Sequence, residues 1–382
     1  MSFPGSARAA LGNQPCLRWT IAALAVVLSG LSVSCGSPSS STSTASHNAY
    51  ITLQAGGVQL LYLNNSTGAI SLGPQTVPVS GTSPTGLALD HSKKFLFVAN
   101  SGQNTISVFN IGSDGTLTLG GTPTPAGVGP RSMVLDPSGQ YLLVTNAGAN
   151  ANNVSVFSVD SGTGALTAVG APVFANNGPT EILITPSGKF VYVTNPSIGF
   201  ITGFSFAGGV LTQVPGSPIS SGAGVSALAV ESGEHFLYAA NTTANTISGF
   251  AIDPNTGALT PVPGTPFTSA AGTGPAAMSM DTVNKFLYVT TQGSSDSIWA
   301  FTWDTTTGTL KAASNSPFNL LSAGSLFLVM EPGGGFFYVG NSQGTTNNIS
   351  VYQYGSGNAA PTVVTNSPFA IGGVAGKMVI VH

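Results

Sequence analysis

The sequence contains very few charged residues. Only 5% of its 382 residues are Asp, Glu, Lys or Arg, whereas soluble proteins usually contain about 25%. The 9 basic and 12 acidic side chains give a formal net charge of −3. Proteins that bind nucleic acid through its phosphates need a basic surface, so this class of partner is excluded. The solubility of the chain has to come from hydroxyl, amide and backbone groups.

Cysteine is nearly absent as well. The two cysteines, Cys16 and Cys35, lie close to the N-terminus, so the rest of the chain can form neither a disulfide nor a cysteine metal site. No group of carboxylates or histidines has the spacing of a Ca²⁺ or Zn²⁺ site. We therefore expect no metal and no cofactor.

The N-terminus has the pattern of an export signal. Arg8 and Arg18 precede the apolar run TIAALAVVLSGL (20–31), which is shorter than the roughly 20 residues of a membrane span but suits a signal peptide. Cys35 follows small residues, as in a bacterial lipobox, although Ser32 replaces the preferred Leu. This pattern favours lipidation at Cys35 over plain secretion or an uncleaved anchor, and all three place the body outside the cytoplasm. We assign 1–35 to the signal and the Ser/Thr-rich 36–47 to a flexible tether.

Helical periodicity is also missing, and a repeat takes its place. The stretch KFVYVTNP (189–196) has near-copies about every 46 to 50 residues, which we align on Asn100, Asn146, Asn195, Asn241, Thr291 and Asn341. A strand precedes each copy, and an alternating strand, a Gly turn and a fourth strand follow it. We expect the repeated Asn to cap the next turn in a left-handed conformation.

Units of four strands and this length indicate the blades of an all-β propeller. Residues 49–73 match the second, third and fourth strands of a blade, and AGKMVIVH (375–382) matches a first strand alone. The C-terminal strand should therefore complete the N-terminal blade. Six full repeats and this shared one predict a seven-bladed propeller over residues 48–382.

Two stretches resemble a known family. The sequence Tyr192-Val193-Thr194-Asn195 spells the motif of the YVTN β-propeller repeats, and residues 128–146 (VGPRSMVLDPSGQYLLVTN) are similar to the seven-bladed lactonase-like family. This family includes 6-phosphogluconolactonase and muconate-lactonising relatives. The resemblance implies the propeller fold and, as one possibility, activity on lactones.

The residues that open each first strand should lie at one mouth of the central channel. Most of them are small or apolar, but three are charged: Arg131, Glu181 and Lys377. One interpretation is a lactone or anion site in which Arg131 and Lys377 stabilise an oxyanion, Glu181 is the general base and Ser132 contacts the ligand. The other interpretation is that Arg131 and Glu181, on neighbouring blades, pair with each other.

The family pattern argues against hydrolysis. Relatives often have His where this chain has Ser132, and Glu where it has Ala147. His91 and His235 fall in turns at the opposite face, and His47 falls in the tether.

We therefore expect mainly a monomeric binding module for a small lactone-like or carbohydrate-like ligand or for a cell-envelope protein. The alternative is an extracytoplasmic lactone hydrolase or isomerase. Only the N-terminal anchor should contact the membrane.

Overall fold

The protein is a seven-bladed β-propeller, as the repeat predicts. The computed structural model describes residues 46–79, 83–268, 273–281, 285–293, 296–343, 349–355 and 358–381. Within these ranges the chain forms 33 strands, arranged in seven antiparallel sheets, and no helix. We number the blades 1 to 7 in chain order, starting with the blade that contains residue 46. In the described part of the chain, no helix of the length and apolarity needed to cross a membrane was found.

Each blade has four strand positions, counted from the channel outward. The first strands of blades 1 to 7 are Ala375–Ile380, Pro84–Leu89, Pro130–Leu135, Ile182–Ile184, Val225–Val230, Thr273–Asp281 and Ser325–Met330. The second strands are Ser46–Leu53, Phe95–Asn100, Tyr141–Asn146, Phe190–Asn195, Phe236–Asn241, Phe286–Gly293 and Phe336–Asn341. The third strands are Val58–Asn64, Thr105–Ile111, Asn153–Val159, Phe200–Ala207, Thr246–Ile252, Ser297–Trp303 and Ile349–Gly355.

The outer, fourth strands are Ile70–Val77, Leu117–Leu119, Leu166–Ala168, Val210–Gln213, Leu259–Pro261, Leu310–Ala312 and Asn358–Val363. In blades 2 to 6 a further short segment pairs with the same third strand: Thr124–Pro125, Val173–Phe174, Ile219–Ser220, Phe267–Thr268 and Phe318–Asn319. The outer edge of these blades is therefore one strand position occupied by two short pieces.

The ring is closed by the C-terminal strand. Ala375–Ile380 pairs antiparallel with Ser46–Leu53, with Ala49 opposite Ile380. Consecutive first strands lie side by side around the channel, and that of blade 7 also contacts that of blade 1. The predicted closure is confirmed, and it gives the second strand of blade 1 a hydrogen-bonded neighbour on each side.

The predicted N-terminal segments lie mostly outside the described residues. The signal (1–35), including Cys35, and the tether as far as residue 45 are not covered. Ser46 and His47, which we expected in the tether, belong instead to the second strand of blade 1. They pair with Asn64 and Leu63 of the third strand, so these two residues are part of the propeller.

The apolar residues pack between blades, because alternate side chains of each sheet point to opposite neighbours. Seven buried clusters result, one for each pair of adjacent blades. Trp299 and Trp303 pack against the cluster between blades 5 and 6. The core of the propeller is thus a ring of interfaces around the channel.

The repeated Asn residues lie inside the sheets. Asn100, Asn146 and Asn241 are fully buried and donate from Nδ2 to a third-strand Ser hydroxyl at 2.9 Å. The left-handed conformation that we expected for them is wrong, because they are extended strand residues. In the turns that follow Asn100 and Asn241, the left-handed residues are Asn104 and Asn245, both with φ of 57°. The Asn side chain therefore links two strands of one blade at its mouth end.

Candidate functional site at the channel mouth

A β-bulge at the start of the first strands places the mouth residues. In blade 3, Pro130 pairs with Asn146 and Met133 with Val144, so Arg131 and Ser132 together face one residue of the second strand. The first strands of blades 1, 2, 5, 6 and 7 have the same one-residue excess near their beginning. Bulges redirect side chains at the rims of barrels and next to active sites. In this propeller the bulges lie at the positions whose side chains line the mouth of the channel.

A cavity of about 550 Å³ opens at this end of the channel; we call it the mouth cavity. Its lining includes all four residues predicted for the site, namely Arg131, Ser132, Glu181 and Lys377. Three further residues with hydroxyl groups also line it: Thr85 of blade 2, Thr180 of blade 4 and Ser226 of blade 5. Blades 1 to 5 therefore all contribute polar side chains to one space.

An ion pair crosses the channel at the floor of this cavity. Lys377 Nζ of blade 1 lies 2.8 Å from Glu181 Oε2 of blade 4, on the far side of the ring. Ser132 Oγ of blade 3 donates to Glu181 Oε1 at 3.3 Å. The same three residues line a second cavity of about 240 Å³ deeper in the channel. The ion pair therefore separates the mouth cavity from the channel below it.

Arg131 is not the partner of Glu181, contrary to the alternative that the sequence left open. Its side chain is exposed at the rim, and within the described residues its guanidinium makes no ion pair or hydrogen bond. With Lys377 and Glu181 balancing each other, the mouth cavity carries one uncompensated positive charge. A planar guanidinium binds carboxylate and phosphate oxygens through two parallel hydrogen bonds.

Side-chain hydroxyls hold the neighbouring blades in position around the site. Thr85 Oγ1 donates to the Pro130 carbonyl at 2.7 Å, and Thr145 Oγ1 donates to the Thr180 carbonyl at 3.0 Å. The Thr145 hydroxyl also accepts the backbone N–H of Ser132 at 3.0 Å. These contacts fix the backbone that carries Arg131, Ser132 and Glu181.

The family positions that differ in this chain have separate places in the structure. Ser132, at the family His position, is buried and contacts Glu181. Ala147, at the Glu position, donates its N–H to the Gly129 carbonyl and does not line the mouth cavity. His91 and His235 lie in turns between first and second strands, at the opposite end of the blades, as expected.

Two features of the site were missed in the sequence. Gln54 and Pro196 also line the mouth cavity; each directly follows a second strand, and this position could have been included with the first-strand openings. The ion pair between Glu181 and Lys377 has no signal in the local sequence, because the two residues are 196 positions apart.

Across the described ranges, no three His, Cys, Asp or Glu residues are grouped as metal ligands.

Comparisons with known proteins agree with this fold. The family model described as "Lactonase, 7-bladed beta-propeller" matches residues 49–178, 171–262 and 213–320. No curated protein matches the chain at a significant level.

Several solved structures share the architecture. The periplasmic gluconolactonase of Pseudomonas aeruginosa is 17% identical with a TM-score of 0.76, and the match covers 88% of this chain and 99% of that one. A putative 6-phosphogluconolactonase from Bacteroides fragilis is 18% identical with a TM-score of 0.76 over 90% and 99% of the two chains. Hydrazine synthase of Kuenenia stuttgartiensis is 17% identical with a TM-score of 0.59 over 80% and 94%. At these identities the likeness concerns the fold.

Proposed function

The chain belongs to the family of seven-bladed lactonase β-propellers, and we propose that its mouth cavity binds a small, hydroxyl-rich compound with one negative charge. Sugar acids, and sugar lactones that carry an acidic group, have this chemistry. The observation that carries the proposal is the unpaired guanidinium of Arg131 beside a Lys377–Glu181 pair that is already neutral.

The remaining polar groups suit the hydroxyls of such a ligand. Thr180 and Ser226 line the cavity, and the amide of Gln54 lies at its edge. A hydroxyl that donates to a backbone carbonyl, as Thr85 does, keeps its lone pairs as acceptors. The ligand would therefore bind through one charged contact to Arg131 and several neutral hydrogen bonds.

Binding, more than turnover, is the role that these contacts favour. Both carboxylate oxygens of Glu181 already have partners, Lys377 Nζ and Ser132 Oγ. A general base has to reach the water that it deprotonates, so Glu181 would first have to leave one of these partners. Ser132 also replaces the His that relatives often have.

Lactone hydrolysis is the second candidate, because Glu181 and Arg131 line one cavity in a lactonase-family propeller. In such a reaction Glu181 would accept a proton as water oxygen bonds to the lactone carbonyl carbon. Arg131 would stabilise the resulting oxyanion. The bond from that carbon to the ring oxygen then breaks, and Lys377 could supply the proton that the ring oxygen needs.

Calorimetric titration tests the binding proposal directly. D-gluconate, which carries one carboxylate, should bind the wild type, and Arg131→Gln should weaken binding by about tenfold or more, since a charge-assisted hydrogen bond contributes roughly 1.5–3 kcal/mol. Lys311→Gln, which removes an exposed cation from the outer edge of blade 6, should leave binding unchanged. Equal loss in both variants, or none in Arg131→Gln, would refute the site.

Hydrolysis of D-glucono-1,5-lactone, followed by pH-stat, distinguishes the two candidates. Turnover that is lost in both Glu181→Gln and Arg131→Gln would establish the enzyme. Binding without turnover would establish the binding module. If D-gluconate does not bind and the lactone is not opened, both small-molecule candidates fail. The ligand would then be a macromolecule such as a cell-envelope protein.

We also propose that residues 1–35 direct export and that Cys35 is lipidated, which leaves a monomeric propeller on a short tether. The similarity to a periplasmic gluconolactonase supports an extracytoplasmic location.

Lipidation at Cys35 predicts a simple fractionation result. In bacterial cells the wild type should be found with the membranes and incorporate labelled palmitate, and Cys35→Ser should do neither. Cys16→Ser, which changes the other cysteine, should behave as the wild type. Membrane association that persists in Cys35→Ser without label would indicate an uncleaved anchor instead.

A further inference from the structure

Another cavity, separate from the two in the channel, lies between blades 5 and 6 at the end opposite the mouth. Its lining contains both apolar and charged residues. The cavity has a volume of about 250 Å³; we call it the blade 5–6 cavity. Its lining comes from the first turn of blade 5 (231–235) and from the ends of three strands of blade 6. Pockets for drug-sized ligands usually measure ~300–1,000 Å³, so this one suits a single ring.

Trp303 gives the cavity an aromatic wall. It ends the third strand of blade 6, where the equivalent residue is aliphatic in blades 2, 3 and 5 (Ile111, Val159 and Ile252) and aromatic in blades 4 and 7 (Phe206 and Tyr354). Trp303 is only partly buried, and it lines the cavity together with Phe236 and Met280. An exposed indole face suits the C–H face of a sugar ring, because it is apolar and carries a partial negative charge.

Glu231 supplies a hydrogen-bond acceptor with spare capacity. Its carboxylate accepts the backbone N–H groups of Gly233, at 2.6 Å, and His235, and His235 Nδ1 lies 3.2 Å from Oε1. A carboxylate offers about four lone-pair sites, so one remains. In blades 2 and 3 the residue two places after the turn carboxylate is a Ser whose hydroxyl bonds to it. Blade 5 has Gly233 there, and the imidazole of His235 takes the place of the missing hydroxyl beside the carboxylate.

Lys285 adds a positive charge without a counter-ion. Its side chain lines the cavity and makes no ion pair within the described residues. His235 is mostly exposed and is the partner of Glu231. The lining thus combines an aromatic face, a free carboxylate lone pair, the hydroxyls of Ser232 and Thr305, and an unpaired ammonium group.

We propose that the blade 5–6 cavity binds the pyranose ring of an acidic sugar, a uronic acid residue. Trp303 would stack on the ring, Glu231 would accept a ring hydroxyl, and the Lys285 ammonium would pair with the sugar carboxylate. This site shares no residue with the mouth cavity. It would let the propeller hold an acidic polysaccharide at one face while the mouth remains accessible at the other.

Ligand-observed saturation-transfer NMR on the full chain, with D-glucuronate as the probe, tests the proposal. Every protein in this test carries Arg131→Gln, because the mouth is itself proposed to bind sugar acids through Arg131. This Arg131→Gln parent should bind D-glucuronate in the millimolar range expected for one ring. Adding Lys285→Met, which removes the charge and keeps most of the stem, should weaken binding about tenfold, and adding Trp303→Leu should abolish it. Methyl β-D-glucopyranoside, the neutral analogue, should bind the parent as weakly as D-glucuronate binds the Lys285→Met protein.

Lys311→Met on the outer edge of blade 6 is the control variant, and it should leave glucuronate binding of the Arg131→Gln parent unchanged. Binding that the wild type shows and the Arg131→Gln parent lacks would assign the sugar to the mouth alone and overturn the proposal. Equal binding of glucuronate with and without Lys285→Met would overturn it as well, as would the absence of saturation transfer in the parent. Should Trp303→Leu unfold, Lys285→Met still tests the proposal, because the Lys285 side chain is at the surface.

The tryptophans provide an independent readout. Two of the three in the chain, Trp299 and Trp303, are on this one strand. Glucuronate should therefore change the intrinsic fluorescence of the wild type, and the change should disappear in Trp303→Leu. A fluorescence change that survives this substitution would also contradict the site.

Discussion

Buried tyrosine hydroxyls join neighbouring blades. Tyr50, Tyr192 and Tyr238 lie on second strands and donate to the carbonyls of Gly115, Gly257 and Gly308, at 2.7, 2.8 and 2.8 Å. Each glycine is in the turn after the third strand of the next blade. Burial raises the pKa of all three phenols, so they remain neutral donors at physiological pH. The Tyr of the repeat therefore acts between blades, whereas the Asn acts within one.

Tyr192 and Tyr338 form a matched pair for testing this contact. Tyr338 occupies the same position in blade 7, but its buried hydroxyl has no hydrogen-bond partner among the residues that the structure describes. Tyr192→Phe should lower the free energy of unfolding by about 1 kcal/mol or more, because it leaves the Gly257 carbonyl unpaired. Tyr338→Phe should be neutral or stabilising, since it removes an unsatisfied buried group. Urea unfolding measures both, and equal effects would show that the inter-blade bond adds nothing.

At the mouth, the repeat predicts which residues meet but not how they pair. Fixed spacing from each anchor placed Arg131, Ser132, Glu181 and Lys377 at one end of the channel, and all four line one cavity. The choice of Lys377 over Arg131 as the partner of Glu181 depends on side-chain direction across an open channel. That direction depends on how blades 1, 3 and 4 are placed around the closed ring. The spacing of residues within one repeat does not determine it.

The β-bulge is the element that spacing alone could not reveal. Two neighbouring positions at each strand opening could both be assigned to the mouth, because nothing in a run such as PRSMVL marks an extra residue. The register shift appears only when the first strand is paired with the second. It explains why Arg131 at the rim and Ser132 beneath it both line the cavity, although alternation alone would send them to opposite faces.

The split outer strand, in contrast, has a visible sequence signal. Ser217, Thr265, Ser316 and Ser367 each precede a proline, and each hydroxyl accepts an N–H of the third strand, at 2.8 to 3.0 Å. Proline cannot donate to the ladder, so the fourth strand is interrupted there. The preceding hydroxyl fills the gap that the interruption leaves. In blades 4, 5 and 6 the Ser-Pro or Thr-Pro pair therefore marks both the break and its compensation, whereas blade 3 is split at Ala171-Pro172 without such a hydroxyl.

For the whole molecule, the number of blades followed from counting strands at the two ends. The N-terminal unit lacked a first strand and the C-terminus supplied one, and the structure joins them in blade 1. Closure also creates a seam between blade 7 and blade 1, whose partners come from opposite ends of the chain. This seam contains a buried cluster that includes Ile51, Phe336 and Met378.

A histidine and a carboxylate meet at this seam. His47 Nδ1 of blade 1 lies 3.4 Å from Glu331 Oε1 of blade 7, and the Glu331 side chain is only 3% exposed. Burial raises the pKa of Glu331 from 4.5 to about 7. The folded protein therefore holds a proton on Glu331 in a pH range where the unfolded chain has released it.

This linkage predicts that the wild type loses stability as the pH rises from about 4.5 to about 7, because the folded state binds more protons than the unfolded state in that window. A shift of this size corresponds to about 3 kcal/mol at most. Glu331→Gln, which is neutral at every pH, should be more stable than the wild type at pH 8 and close to it at pH 5. Urea unfolding at pH 5, 6, 7 and 8 measures the difference.

Glu234→Gln is the matched control, since Glu234 is an exposed carboxylate at the same end of the blades, bonded to Ser187. Its unfolding free energy should follow the pH dependence of the wild type. If Glu331→Gln also runs parallel to the wild type, the seam does not hold a protonated carboxylate. If Glu331→Gln reduces the pH dependence of the unfolding free energy and Glu234→Gln does not, Glu331 at the seam between blades 7 and 1 is the group whose protonation is linked to the stability of the ring.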